Sequence, residues 1–169
     1  MPRFTALAIP MPAPTRPDLY LQPMPHSAFG EFRQRSIEGY ADDLHRHDGA
    51  PASSHLHAAA RSFDSLLPQG MDTPGQHVLH ILLPMLGSPV GVLWYECEAH
   101  EAFINELEIA PQHRRQGHAR AALKLLQAQL RAQGVTRLEL SVFAHNRTAR
   151  AFYRTLGFSL SSLTLGKAL

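Results

Sequence analysis

The sequence predicts a mixed α/β domain, and three observations carry that prediction: a length suited to one domain, two hydrophobic periods that alternate along the chain, and turn residues where one period gives way to the other. At 169 residues the chain can bury most of its apolar surface in one core without metals or disulfides. Hydrophobic residues are 44% and charged residues 18%, which is globular composition and excludes disorder throughout.

Residues 1 to 17 carry Pro2, Pro10, Pro12, Pro14 and Pro17, too many prolines for a helix or a central strand, so they are expected to form an arm outside a domain spanning 18–169. Leu19 to Met24 reads as a strand. A helix follows, with Phe29, Phe32, Ile37, Tyr40, Ala41 and Leu44 at helical spacing and ion pairs expected between Glu31 and Arg35 and between Asp42 and Arg46. A second helix after Pro51 carries Leu56, Ala59, Ala60, Phe63 and Leu67 on one stripe and stops at Pro68-Gln69-Gly70. His77 to Leu83 and Pro89 to Cys97 read as a hairpin turning at Gly87-Ser88. Ala102 to Ile109 is the next strand, ended by Pro111. The helix from Arg115 to Gln133 then buries Ala119, Leu123, Leu126 and Leu130, with Gly134 at its C-terminal cap. Arg137 to Phe143 reads as a strand, Asn146 caps a short helix through Leu156, and Phe158 to Leu165 closes as a last strand. The predicted order is β-α-α-β-β-β-α-β-α-β.

Composition narrows the function classes. Sixteen Lys and Arg against fourteen Asp and Glu leave a net charge of only +2, which gives a nucleic-acid role no support. The single cysteine, Cys97, cannot close an internal disulfide, and no charged leader precedes an apolar run, so the cytoplasm is the expected compartment. No stretch reaches the ~18 apolar residues of a membrane span; the run near Val78 to Leu83 is broken by His80 and Pro84. Eleven histidines are scattered without an HExxH or a Cys/His ligand set, and no metal is expected. No GxSxG elbow is present, and Cys97 and Trp94 read as packing residues.

The stretch Ile104 to Lys124, INELEIAPQHRRQGHARAALK, carries the chemistry. A strand enters the loop Arg114-Arg115-Gln116-Gly117, which opens directly into a helix. Free backbone N–H groups and the positive end of the helix dipole meet there, and that is an anion site suited to a pyrophosphate. Gly117 permits close approach of the anion, and Arg114, Arg115, Arg120 and Lys124 add positive charge. The GK[ST] of a P-loop and the three glycines of a dinucleotide fingerprint are both missing.

Two motifs in order then resemble the GNAT superfamily of N-acetyltransferases. Arg114-x-x-Gly117-x-Ala119 is similar to its (Q/R)xxGx(G/A) acyl-CoA motif, and Asn146, Ala149, Phe152, Tyr153, Gly157 and Phe158 fit its N-x-x-A-x-x-F-Y-x-x-x-G-F pattern. The resemblance covers roughly Ala102 to Phe158; upstream, LLPQGMDTP and PVGVLW more loosely resemble one bacterial branch. It implies a mostly antiparallel sheet of about six to seven strands, splayed between the fourth and fifth, flanked by about four helices. It also implies acetyl-CoA as cosubstrate and a primary amine as acceptor, with no metal. A homodimer is compatible with it.

Carried over by position, the resemblance assigns the coenzyme pyrophosphate to the backbone amides of Gln116, Gly117, His118, Ala119 and Arg120, with Arg115 and Arg114 beside them. Backbone groups of Leu107 and Ile109 would pair with the pantetheine arm, the Leu107 N–H donating to the thioester carbonyl. Tyr153 would protonate the departing thiolate; its alternative role is core packing. Asn146 contacts the coenzyme or only caps its helix. The amine's proton needs an acceptor, and Glu108 and Glu106, sharing one face of their strand, are the candidates, acting through water; their alternative roles are to bind a cationic substrate or to form a solvated strand face. Where some family members carry a carboxylate on the next strand, this chain has Ser141 beside Glu139. The rival readings are an acyl-CoA-binding module without turnover and an RNA-associated protein using Arg114, Arg115, Arg120, Arg147, Arg150 and Arg154, which lack interleaved aromatics.

Overall fold

The structure is a computed structural model that describes residues 19–164; the proline-rich arm and Leu165 lie outside the described residues. The elements run β1 (Tyr20–Pro23), α1 (His26–Asp48), α2 (Ala52–Leu66), β2 (Gln76–Leu82), β3 (Gly91–Glu98), β4 (Glu101–Ile109), α3 (His118–Ala132), β5 (Arg137–Leu140) and α4 (Arg147–Arg154). One sheet carries the strands in the order β1-β2-β3-β4-β5, antiparallel except for the parallel β4–β5 pair. The mixed α/β class and the predominantly antiparallel sheet are those the sequence predicts.

The sheet is covered on both sides. Along β3, Val92 and Trp94 point to a cluster with Phe32, Ile37 and Ala41 of α1 and Ala59 and Phe63 of α2. Leu93 and Tyr95 point the other way, onto Ala122, Leu123, Leu126 and Leu130 of α3. This alternation is the period of two that any strand imposes. On the first side three aromatic rings interlock, Trp94 standing 5.2 Å from Phe63 and edge-on to Phe32 at 5.9 Å.

Two features of β4 shape the site. First, its register against β3 slips: Trp94 pairs with Glu106 and Tyr95 with Ile104, leaving Asn105 as a bulge. Ala102 and Ile104 before the bulge, and Leu107 and Ile109 after it, therefore all pack on the α3 side, while Glu106 and Glu108 turn toward α1. Without the extra residue, Ile104 and Glu106 would share a face. Second, β5 accompanies β4 only from Glu101↔Arg137 to Ile104↔Leu140, so Asn105 to Ile109 have no β5 partner and the two strands splay apart. Gly91 makes this end of β4 reachable for β3, since a Cβ there would collide with the carbonyl oxygen of Glu108.

Several sequence expectations are corrected. The sheet has five strands among the described residues; Phe158 to Thr164 is irregular, with Leu160 and Leu163 exposed by 74% and 66%. The apolar positions explain this, because Phe158 and Leu160 have one parity and Leu163 the other, so no single strand face would bury all three. α3 starts at His118 instead of Arg115, as Arg115 (φ 63°) and Gly117 (φ 85°) are left-handed and cannot be helical. β5 ends at Leu140 instead of Phe143, where the splay removes its partner. Arg46 pairs with Asp43 at 4.0 Å, not with Asp42.

Candidate active site

At the C-terminal end of β4 the chain makes a short 3-10 turn (Pro111–His113) and then the loop that leads into α3. Arg114 closes this turn by donating from Nε to the carbonyl oxygen of Ile109 at 2.8 Å, which occupies one lone pair of that carbonyl and fixes the loop to the strand. Left-handed Arg115 and Gly117 give the backbone geometry in which consecutive N–H groups converge on an anion. Among the described residues, the N–H groups of Arg115, Gln116, Gly117, His118, Ala119 and Arg120 have no backbone or side-chain acceptor; the first N–H donated back is that of Ala121, to Gly117. The α3 dipole adds its positive end at the same point. His118 is 3% exposed with its Nδ1 unpartnered among the described residues, and burial, then neighbouring His113, lowers its pKa, so the ring is neutral at pH 7.

The side chain of Arg120 turns away from this cradle. Its Nη2 donates to Thr155 Oγ1 at 2.6 Å and its guanidinium lies 6.0 Å over Phe152, which fastens α3 to the end of α4. Asn146 caps α4, its Oδ1 accepting the Ala149 N–H at 3.0 Å, so the capping half of its two expected roles is observed. Tyr153 thus stands on a short helix secured at both ends. Its ring packs on Phe152 and Phe158 and against the α3-side core, and burial pushes its phenol up to about 12. A phenol so placed keeps its proton at neutral pH.

Glu106 and Glu108 lie on the opposite face, under α1, and the helix treats them differently. Ser36 Oγ donates to Glu106 Oε2 at 2.6 Å. Arg35, the preceding residue, donates from Nε to Glu108 Oε2 at 3.0 Å, and Arg114 Nη2 stands 3.9 Å from the other Glu108 oxygen. Glu108 therefore sits between two guanidinium groups. Glu106 has no such partner among the described residues, and its pKa is pushed up to about 7, foremost by burial; the Glu108 charge adds to the rise, while the Ser36 hydrogen bond and Arg35 oppose it. Further along α1, Tyr40 and His47 pack against Phe143, and His145 Nε2 approaches Asp43 Oδ1 at 3.5 Å, tying α1 to the loop after β5.

The residues expected from sequence thus form two groups, one on each face of β4. The loop from Arg114 to Arg120, the β4 edge at Leu107 and Ile109, and Tyr153 belong with the α3 side, and Glu106 and Glu108 with α1. Sequence reasoning missed Ser36 and Arg35, 70 and 73 residues before their partners, and no local motif marks them. It also missed the bulge, although apolar residues at 102 and 104 and then at 107 and 109 record the change of parity.

Residues 41–158 match the family model described as the acetyltransferase (GNAT) family. The uncharacterized N-acetyltransferase YycN of Bacillus subtilis (strain 168) is 31% identical over 156 residues, 89% of this chain and 99% of that one. Its crystal structure superposes with a TM-score of 0.83 at 30% identity, covering 89% of this chain and 98% of that chain. The [ribosomal protein bS18]-alanine N-acetyltransferase of Escherichia coli (strain K12) is 29% identical over 113 residues, 67% of this chain and 76% of that one. The fold is also that of the PaiA N-acetyltransferase of Thermoplasma acidophilum, solved with coenzyme A, with a TM-score of 0.66 at 14% identity over 87% of this chain and 93% of that chain.

Proposed function

The chain belongs to the acetyltransferase (GNAT) family, and from that premise we propose that it transfers an acetyl group from acetyl-CoA to a primary amine by direct attack of the neutral amine on the thioester. The observation that carries this reading is the pairing of two features around the end of β4. One is an anion cradle of unpartnered amides from Arg115 to Arg120; the other is a part-buried carboxylate, Glu106, with its pKa pushed up to about 7. The cradle suits the pyrophosphate of a coenzyme, with Arg114 and Arg115 beside it, and the unpaired β4 edge at Leu107 and Ile109 suits an extended pantetheine arm. Bound there, acetyl-CoA supplies the activated acyl group.

The chain's own groups then divide the proton work. Glu106 Oε accepts the proton of the amine, since a base near pH 7 is matched to its task. Glu108, committed to Arg35 and Arg114, takes a positioning role, and these contacts favour Glu106 as the base. The Leu107 N–H steadies the developing oxyanion. Tyr153 Oη gives its proton to the sulfur as the C–S bond breaks and the C–N bond forms, and solvent returns a proton to it. Free coenzyme thiol and an N-acetyl amine leave, and no covalent enzyme intermediate forms.

The test is thermal unfolding with saturating acetyl-CoA, with NADH and ATP as controls, followed by thiol release on adding amines. At a hundredfold excess over Kd, binding adds about 2.7 kcal/mol, which shifts Tm by roughly 5 to 10 °C. A shift together with amine-dependent thiol release is the expected result. A shift without release for any amine would make the chain an acyl-CoA-binding module, and no shift would overturn the reading.

A further inference from the structure

Between α1 and the end of β4, beside Glu108, lies a cavity of about 490 Å³ that the proton chemistry above leaves unused. This volume lies in the range of small-ligand pockets, about 300–1,000 Å³. Met24, Phe32 and Val92 give it an apolar lining, and Ala28 of α1 stands at its wall. It opens on the same face of β4 as Glu106: the cross-strand row His80–Val92–Glu108 lines it, and Glu106 lies two residues back along the strand, about 6 to 7 Å away.

Its ionisable groups are Glu31, Arg35, His80 and Glu108. Arg35 stands 3.0 Å from Glu108 and 3.8 Å from Glu31, so one guanidinium serves two acids; Arg114, outside the lining, stands 3.9 Å from Glu108. His80 has its pKa lowered, first by burial and then by the Arg35 charge, so it is uncharged at pH 7. Among the described residues of this lining, Arg35 is the one guanidinium and is shared by two acids, so no cation is left over to receive a carboxylate. A carboxylate brought here would meet an excess of negative charge and gain no partner.

We propose that this cavity holds the body of the acceptor and selects a primary amine carried on a largely apolar body, against amino carboxylates. The proposal rests on the acetyl-transfer reading, with the reacting amine at Glu106 and the remainder of the molecule beyond Glu108.

The experiment compares hexylamine, hexanediamine and aminohexanoate, which share one carbon chain and differ in the far end, as acceptors for the full chain with acetyl-CoA. Expected is a kcat/KM about tenfold or more lower for the amino acid than for hexylamine or the diamine, carried by KM. Filling the cavity with Ala28→Leu should cut the ratio of hexylamine to ethylamine kcat/KM by about tenfold. The methyl resonances of Met24 and Val92 should move when hexylamine alone is titrated into the wild-type protein, a readout independent of turnover. Equal kcat/KM for all three end groups, or unmoved Met24 and Val92 methyls, overturns the proposal. Thermal protection by acetyl-CoA in the same samples separates that outcome from failure of the transfer reading, in which protection itself is absent.

Discussion

The two faces of β4 are held by different forces. Toward α3, Ala102, Ile104, Leu107 and Ile109 enter a continuous apolar cluster with Leu123, Leu126 and Leu130, where many small contacts share the load. Toward α1, Glu106 and Glu108 each depend on a few directed contacts, Ser36 for one and Arg35 and Arg114 for the other. The first kind of face tolerates volume-conserving exchange, and the second does not. The lesson is that stability and chemistry, although on one strand, should respond to different substitutions.

The largest effect that would break this contrast is at Glu106. Glu106→Gln should lower kcat/KM for amine acetylation by about a hundredfold to ten-thousandfold, the range of general-base catalysis, measured by thiol release. The same variant should be more stable than the wild type at pH 8. A carboxyl whose pKa rises to about 7 on folding contributes stability below its unfolded value and loses it as pH climbs through 7. Removing the charge should therefore gain on the order of 2 kcal/mol above pH 7 and nothing near pH 4, as read by chemical denaturation at the two pH values. Loss of stability at pH 8 would sink the idea that this carboxylate is desolvated at a cost.

Next is Leu126, fully buried on the α3 face. Leu126→Ala should cost about 2 to 5 kcal/mol, seen as a lower Tm, while the pH dependence of kcat/KM in the folded protein keeps its shape. A displaced pH profile would show that the two faces are not separable. The smallest effect sharpens the contrast: Ser36→Ala removes a hydrogen bond that favours the Glu106 carboxylate, so the acidic limb of kcat/KM should move to higher pH with a minor change in Tm. An unmoved limb would remove Ser36 from the tuning of the base.

The same contrast governs what the sequence discloses. The anion loop is made of neighbouring residues acting through their main chain, so Arg114, Gly117 and the helix after them sit together in the sequence and can be read there. Tyr153 and the Asn146 cap belong to one short helix and are legible for the same reason. Ser36 and Arg35 are conveyed to β4 by tertiary packing of α1, and nothing in a serine beside an arginine on a polar helix face announces a distant carboxylate. The start of α3 escaped because an arginine, Arg115, occupies the left-handed region where glycine or asparagine is the usual mark. The last strand was over-read because alternation begins at Phe158 and Leu160 and fails at Leu163.

Arg35 and Ser36 also have a mechanical meaning. Consecutive residues of a helix project about 100° apart around its axis, yet both reach the same strand, one gripping Glu108 and the other Glu106. A roll of α1 in either direction that eases one grip must pull on the other. The helix is seated like a key with two teeth cut at different angles, held against turning in place.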